Sequence, residues 1–153
     1  MMERKFKSLT DSKPVDLVPY LKEKLAEAED INIYIGCDSQ NHGNNTIYAS
    51  VIVLHYGTRG GHVLYSREKV SRIRDSFTRL WKEVETSLEV AQFLTENGIQ
   101  RAKYIDIDLN PDPKFRSNQV LRAALGYVES MGYEARCKPY AISASYVADK
   151  LCK

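Results

Sequence analysis

The stretch Ile31–Gln40, INIYIGCDSQ, is the one around which the rest of the chain is organised. Isoleucines at positions 31, 33 and 35 alternate with other residues, which is the period of a strand with one buried face. Asp38 belongs to the other set, so it points away from the isoleucine face. Two interpretations stay open. Asp38 begins a turn, since the following Ser39–Asn45 is rich in turn-forming residues, or its carboxylate meets a positive partner.

The composition indicates one soluble globular domain. The chain has 153 residues, of which 43% are hydrophobic and 27% are charged. No apolar run reaches the ~20 residues of a membrane span, and the N-terminus lacks the apolar region of a secretion signal. The three cysteines are widely spaced, which favours a reducing cytoplasm over a disulfide framework or a zinc site. We therefore expect a single cytoplasmic domain over 1–153, with 1–30 forming a polar lead-in and a helix. Nothing in the composition predicts the oligomeric state.

Hydrophobic periodicity predicts helices alternating with strands. The predicted helices cover 16–29, 75–97, 112–131 and 143–153, and the predicted strands cover about 31–37, 46–56, 62–70, 103–109 and 133–138. The first three strands form an antiparallel meander. The last two are reached by helical crossovers, so each runs parallel to a neighbour. The expected fold is α/β, with a five-stranded mixed sheet and helices on both faces.

Two acids share one face of the fourth predicted strand. Asp106 and Asp108 alternate with the aliphatic residues of KYIDIDL, so they project away from the buried side. A solvated edge strand often has this pattern. A strand between two helical crossovers is expected in the interior of the sheet, however, which favours a functional role.

The helices offer further acids. The apolar stripe of the second helix is centred on Phe77, Val84 and Leu88. Glu85 lies at the margin of this stripe, whereas Glu83 lies on the far side. The alternative for Glu85 is a boundary residue with a solvated carboxylate. Asp149 shares a face of the last helix with apolar residues, and its alternative is a charge near a fraying end.

Clustered carboxylates indicate a metal site. Acids that come close repel one another unless a cation separates them, and hard oxygen ligands suit Mg²⁺ or Mn²⁺. Two such ions ~3.5–4 Å apart can activate a water and stabilise the leaving oxygen of a phosphodiester. The predicted metal ligands are Asp38, Glu85, Asp106 and Asp108.

Four short segments resemble one known family. They are GCDSQ at 36–40, ETSLE at 85–89, YIDID at 104–108 and KPYAISASYVADK at 138–150. Together with the order of elements, they are similar to the YkuK-like family of the ribonuclease H-like superfamily, over about residues 31–150. The resemblance implies a ribonuclease H-like fold and a nuclease-related activity. It implies that the catalytic acids are Asp38, Glu85, Asp106 and Asp149, with Asp108 competing for the role of Asp106.

A basic strip precedes and enters the second helix. Its members are Arg67, Lys69, Arg72, Arg74, Arg79 and Lys82. Beside an acidic metal site such a strip suits a phosphate backbone, although a solvated charged face is the alternative. We predict nucleic-acid contacts for Arg72, Arg74, Arg79 and Asn118.

Two functional hypotheses follow. The first is a metal-dependent nuclease that hydrolyses phosphodiesters of RNA or DNA. The second is a module on the same fold that binds nucleic acid or another partner and is catalytically weak or inactive. A phosphatase is less well supported, because the Asp106–Asp108 pair is too late in the chain for the first strand of such a fold.

Overall fold

The computed structural model describes residues 4–57, 60–107 and 117–137. These residues form six strands and three helices. The strands are β1 (Lys7–Ser8), β2 (Ile31–His42), β3 (Asn45–Tyr56), β4 (Gly61–Ser71), β5 (Tyr104–Ile107) and β6 (Ala135–Cys137). The helices are α1 (Leu17–Leu25), α2 (Ser76–Glu96) and α3 (Ser117–Ser130). No helix in the described ranges is both long enough and apolar enough to cross a membrane.

The strands form one mixed sheet in the order β1-β4-β3-β2-β5-β6. β2, β3 and β4 pair antiparallel, whereas β5 runs parallel to β2 and β6 runs parallel to β5. The helices α2 and α3 provide the crossovers that parallel pairing requires. The predicted mixed α/β sheet is confirmed, and β2 lies in its interior between β3 and β5.

A sixth strand, β1, was not predicted. Lys7 and Ser8 pair with Tyr65 and Leu64 of β4, and the preceding Phe6 is only 1% exposed. The interpretation of this segment as a polar lead-in is therefore wrong. A strand of two residues is too short to show a periodicity. Its pairing depends on a partner that lies far along the chain.

β2 continues beyond the point where a turn was expected. Asp38 pairs with Ala49, and the ladder runs on until His42 meets Asn45. The turn therefore contains only the two residues at 43 and 44, and Gly43 supplies the positive φ of 55°. The prediction of a turn over Ser39–Asn45 is wrong, since pairing with β3 gives these polar residues a complete ladder.

The described helices all pack on one face of the sheet. The large core cluster combines residues of all three helices with the odd-numbered side of β2, including Ile33 and Ile35, both 0% exposed. The even-numbered side contributes Tyr34 to a second cluster, which also contains Val51 and Val53. The prediction of helices on both faces is not tested further, because the helix predicted at 143–153 lies outside the described residues.

Candidate functional site

Asp38 lies inside β2, in the even-numbered set that faces away from the described helices. Its side chain is half-buried, and its Oδ1 accepts a hydrogen bond of 2.9 Å from the backbone N–H of Ser39. The prediction that Asp38 points away from the isoleucine face is confirmed. Its expected position at the end of the strand is not, because β2 continues past it for four residues, to His42.

Glu83 is the acid of α2 that faces the sheet. It is 4% exposed, and its Oε2 accepts a hydrogen bond from the Ser39 hydroxyl. Ser39 thus contacts two carboxylates, that of Asp38 through its backbone amide and that of Glu83 through its side chain. These two contacts bring an acid of the central strand and an acid of the helix to one residue.

Glu85, the acid predicted to face inward, is exposed. Its predicted position was wrong because the apolar stripe left out Ser87, Val90 and Leu94, which are all buried. The buried arc is centred near Ser87, which is only 2% exposed. At 100° per residue, Glu83 lies ~40° from Ser87, whereas Glu85 lies ~160° away.

Arg79 lies one turn before Glu83 on α2 and also binds Ser39. Its Nη1 donates to the Ser39 carbonyl oxygen at 3.1 Å and to the Ser39 Oγ at 2.8 Å. The Tyr48 hydroxyl of β3 donates to the Arg79 carbonyl oxygen at 3.0 Å. The first half of α2 is therefore hydrogen-bonded to both β2 and β3.

Asp106 is engaged by an arginine of the neighbouring strand. Its side chain is 0% exposed, and Arg136 of β6 donates from Nε to Oδ1 at 2.8 Å and from Nη2 to Oδ2 at 3.0 Å. The guanidinium carbon lies 4.5 Å from the ring centroid of Tyr34 and 4.4 Å from that of Tyr104. A bidentate ion pair whose guanidinium also lies against two tyrosine rings gives Asp106 a positive partner inside the protein.

The acids are thus divided between the two sides of β2. Asp38 and Asp106 belong to the face that carries Tyr34, whereas Glu83 approaches from the helix face. In the parts of the chain that the structure describes, no three His, Cys, Asp or Glu side chains are placed to share a metal ion. The structure does not bring Asp38, Glu85 and Asp106 together, and Asp108 and Asp149 lie outside the described residues.

Burial and the Glu83 carboxylate raise the pKa of two neighbouring side chains. Burial raises the pKa of the Cys37 thiol, and the Glu83 carboxylate raises it further. The pKa of the Tyr48 hydroxyl is also raised, first by burial and then by Glu83. Both groups stay protonated at neutral pH. The cavity lined by Cys37, Glu83 and Asp106 has no room for a water-sized sphere, so the protein is tightly packed between the two acids.

The residues predicted to contact nucleic acid have different surroundings. Arg72 and Arg74 are exposed between β4 and α2, and the Arg72 Nη1 donates to the Gly43 carbonyl oxygen at 2.7 Å. Asn118 is half-buried at the start of α3. Arg79 is half-buried and bonded to Ser39, so it differs from the two exposed arginines.

Sequence reasoning missed Glu83, Ser39 and Arg136. The signal for Glu83 was present, since Glu83, Ser87, Val90 and Leu94 repeat at helical spacing and are all buried. Ser39 shares the parity of the buried isoleucines, which places it on the helix face. Arg136 had no local signal, because its partner depends on the parallel pairing of β5 with β6.

The chain is similar in sequence to a known family and in structure to a known protein. A family model described as ribonuclease H-like matches residues 16–153. Among solved structures, the chain is similar to the crystal structure of RNase H1 from the halophilic archaeon Halobacterium salinarum NRC-1. That likeness has 16% sequence identity and a TM-score of 0.40, and covers 72% of this chain and 87% of that one. No curated protein matches the chain significantly. The extent of the family match shows that the chain belongs to the ribonuclease H-like family.

Proposed function

We propose that this protein is a metal-dependent nuclease that hydrolyses phosphodiester bonds of RNA or DNA. The observation that carries the proposal is the contact of two carboxylates with Ser39 on the central strand. One belongs to half-buried Asp38 and the other to Glu83, which is 4% exposed. Burying a carboxylate costs free energy even when it is hydrogen-bonded, and buried acids of this kind are frequent at functional sites. Membership of the ribonuclease H-like family supports the same reading.

The two carboxylates that contact Ser39 are the type of ligand that binds a hard divalent cation. Carboxylate oxygens are the ligands that Mg²⁺ and Mn²⁺ prefer, so we propose Asp38 and Glu83 as the ligands. They reach Ser39 from opposite faces of β2, so holding the same ion would require their side chains to move. When bound, the ion supplies positive charge that activates a water and stabilises the leaving oxygen. Asp106 does not fit, because Arg136 already occupies both of its oxygens. We therefore assign the fourth-strand role to Asp108 and keep Asp149 as the last-helix acid.

The proposed substrate contacts are Arg72, Arg74 and Asn118. Both arginines are exposed, and Arg72 contacts the β2–β3 turn, so both are accessible to phosphates. A cytoplasmic location belongs to the same proposal, since Cys37 and Cys137 are free thiols.

The test is cleavage of end-labelled RNA and DNA with Mg²⁺, with Mn²⁺, and with EDTA. Wild-type protein should cleave one of these substrates only with a divalent ion, and Asp38→Asn should abolish cleavage. Cleavage that persists in Asp38→Asn, or that is insensitive to EDTA, would exclude the proposed site.

A second candidate is a module that binds nucleic acid without cutting it. It is favoured by the Asp106–Arg136 pair, which neutralises a strand acid that the family resemblance assigned to catalysis. This candidate predicts salt-dependent binding of nucleic acid with no cleavage in either metal. Metal-dependent cleavage that is lost in Asp38→Asn would rule it out.

A further inference from the structure

We propose that Arg79 is a positioning residue, which acts through Ser39 to hold the Glu83 carboxylate, and that it is not a phosphate contact. The inference rests on the proposed function of Asp38 and Glu83. It reassigns an arginine that the sequence grouped with Arg72 and Arg74. The three arginines differ in their surroundings, since Arg79 is half-buried whereas the other two are exposed.

The direction of the hydrogen bonds follows from donor chemistry. A guanidinium group can only donate, so the Ser39 Oγ must accept from the Arg79 Nη1 at 2.8 Å. Ser39 has one hydroxyl proton, and the bond to Glu83 uses it. The chain of bonds therefore runs from Arg79 to Ser39 to the side chain of Glu83. Because Glu83 is 4% exposed, this chain supplies part of the stabilisation that water gives to an exposed glutamate.

The backbone of Ser39 also contacts Arg79 and Asp38. Arg79 also bonds the Ser39 carbonyl oxygen at 3.1 Å, which restrains the strand as well as the side chain. The N–H of the same residue donates to the Asp38 Oδ1 at 2.9 Å. Ser39 thus contacts both proposed metal ligands, and Arg79 fixes Ser39 against α2. Spacing by four residues places Arg79 and Glu83 on the same side of the helix, which makes this geometry possible.

The first test is a double-mutant cycle on thermal unfolding, which needs neither metal nor nucleic acid. The Tm is measured for Arg79→Gln, for Glu83→Gln and for the double variant. The control cycle combines Glu83→Gln with Arg122→Ala, which lies on the exposed side of α3. We expect the Arg79–Glu83 double variant to lose about 2–6 °C less in Tm than the sum of the single losses. This coupling should disappear in the Ser39→Ala background. If the two losses are additive in the protein that keeps Ser39, the proposal is overturned.

The second test measures the binding of Mn²⁺ by calorimetry, in the absence of nucleic acid. Ser39→Ala and Arg79→Gln should each weaken Mn²⁺ binding by about 10–100-fold, as supporting residues of metal ligands do. Ser39→Thr keeps the hydroxyl and should restore most of the affinity, whereas Arg122→Ala should leave it unchanged. If Arg79→Gln binds Mn²⁺ like wild type but loses affinity for RNA in EDTA, Arg79 is a phosphate contact and the proposal fails.

The two tests separate this inference from the proposed function. If wild-type protein binds no Mn²⁺ while the thermal coupling is present, the metal site fails and the role of Arg79 in holding Glu83 stands. If Mn²⁺ binds to wild type and the thermal losses are additive, the metal site stands and the role of Arg79 fails.

Discussion

Arg136 binds both carboxylate oxygens of Asp106, at 2.8 and 3.0 Å, and joins β6 to β5 through a partly buried ion pair. The pair lies on the face where the guanidinium packs against the rings of Tyr34 and Tyr104. β6 has only three residues, so few backbone hydrogen bonds hold it. We therefore assign the pair a structural role in fixing β6 to β5.

Removing Arg136 should destabilise the protein strongly. Arg136→Ala leaves the fully buried Asp106 carboxylate without its cation, which typically costs about 3–5 kcal/mol. Arg136→Lys keeps the charge but loses the bidentate geometry, so an intermediate loss is expected. Urea unfolding measures both variants. A loss within about 0.5 kcal/mol for Arg136→Ala, as expected for a surface substitution, would show that the pair does not stabilise the fold.

Asp106 and Asp108 should differ in their effects on cleavage. Asp106→Asn can still accept from Arg136, so we expect reduced stability with cleavage retained at temperatures where the variant is folded. Asp108→Asn should lose cleavage by more than about 100-fold, beyond the ~10–100-fold typical of residues that only support a metal ligand. Both variants are assayed with Mn²⁺ after circular dichroism confirms folding. Loss of cleavage in Asp106→Asn alone would reverse the assignment.

His62 should make stability depend on pH. The Tyr20 hydroxyl lies 2.6 Å from the His62 Nε2, and it can donate only to the neutral ring. Burial, followed by the charge of Lys24, lowers the pKa of His62 in the folded state. The folded state therefore binds the proton less readily than the unfolded chain does. The stability from neutral His62 is complete above about pH 6.5 and is lost as the pH falls through the lowered pKa.

The check is Tm measured from pH 7.5 to 5 for wild type, His62→Gln and Tyr20→Phe. Wild type should lose more Tm on acidification than His62→Gln. Tyr20→Phe removes the hydroxyl while keeping the ring, and should show a smaller loss on acidification than wild type. Equal slopes for wild type and His62→Gln would mean that His62 does not couple to folding.

Cys37 should resist alkylation in the native protein. Its side chain is 3% exposed, and burial together with the Glu83 carboxylate raises the pKa of its thiol. Cys137 is half-buried and provides the internal comparison. Iodoacetamide labelling at pH 8, followed by mass spectrometry, should modify Cys137 well before Cys37. Equal labelling rates under native conditions would show that the thiol beside Glu83 is accessible.

Local patterns predicted most of the fold. The alternation around Ile33 and the helical stripe of α3 are set by which face each element buries, and the crossover rule then orders the strands. β1 was missed because its pairing is entirely non-local. The extension of β2 through Ser39 to His42 was missed because turn-forming residues were weighed without their partner strand.

The candidate site was predicted less completely than the fold. Asp38 was identified from strand parity, which is robust over a long strand. Glu83 was missed because the predicted apolar stripe left out the buried Ser87, Val90 and Leu94, which displaced the centre of the helix face. The ion pair of Asp106 with Arg136 depends on the register between two short parallel strands, and no local pattern in the sequence contains that information.

The most direct measurement compares Mn²⁺-dependent cleavage of labelled RNA and DNA by wild type, Glu83→Gln and Glu85→Gln. The two variants make the same chemical change on the same helix, one at a buried and one at an exposed position. We expect Glu85→Gln to cleave within about 2-fold of wild type and Glu83→Gln to lose more than about 100-fold, beyond the loss of a supporting residue. Cleavage that survives Glu83→Gln and is lost in Glu85→Gln would contradict the site at Asp38 and Glu83.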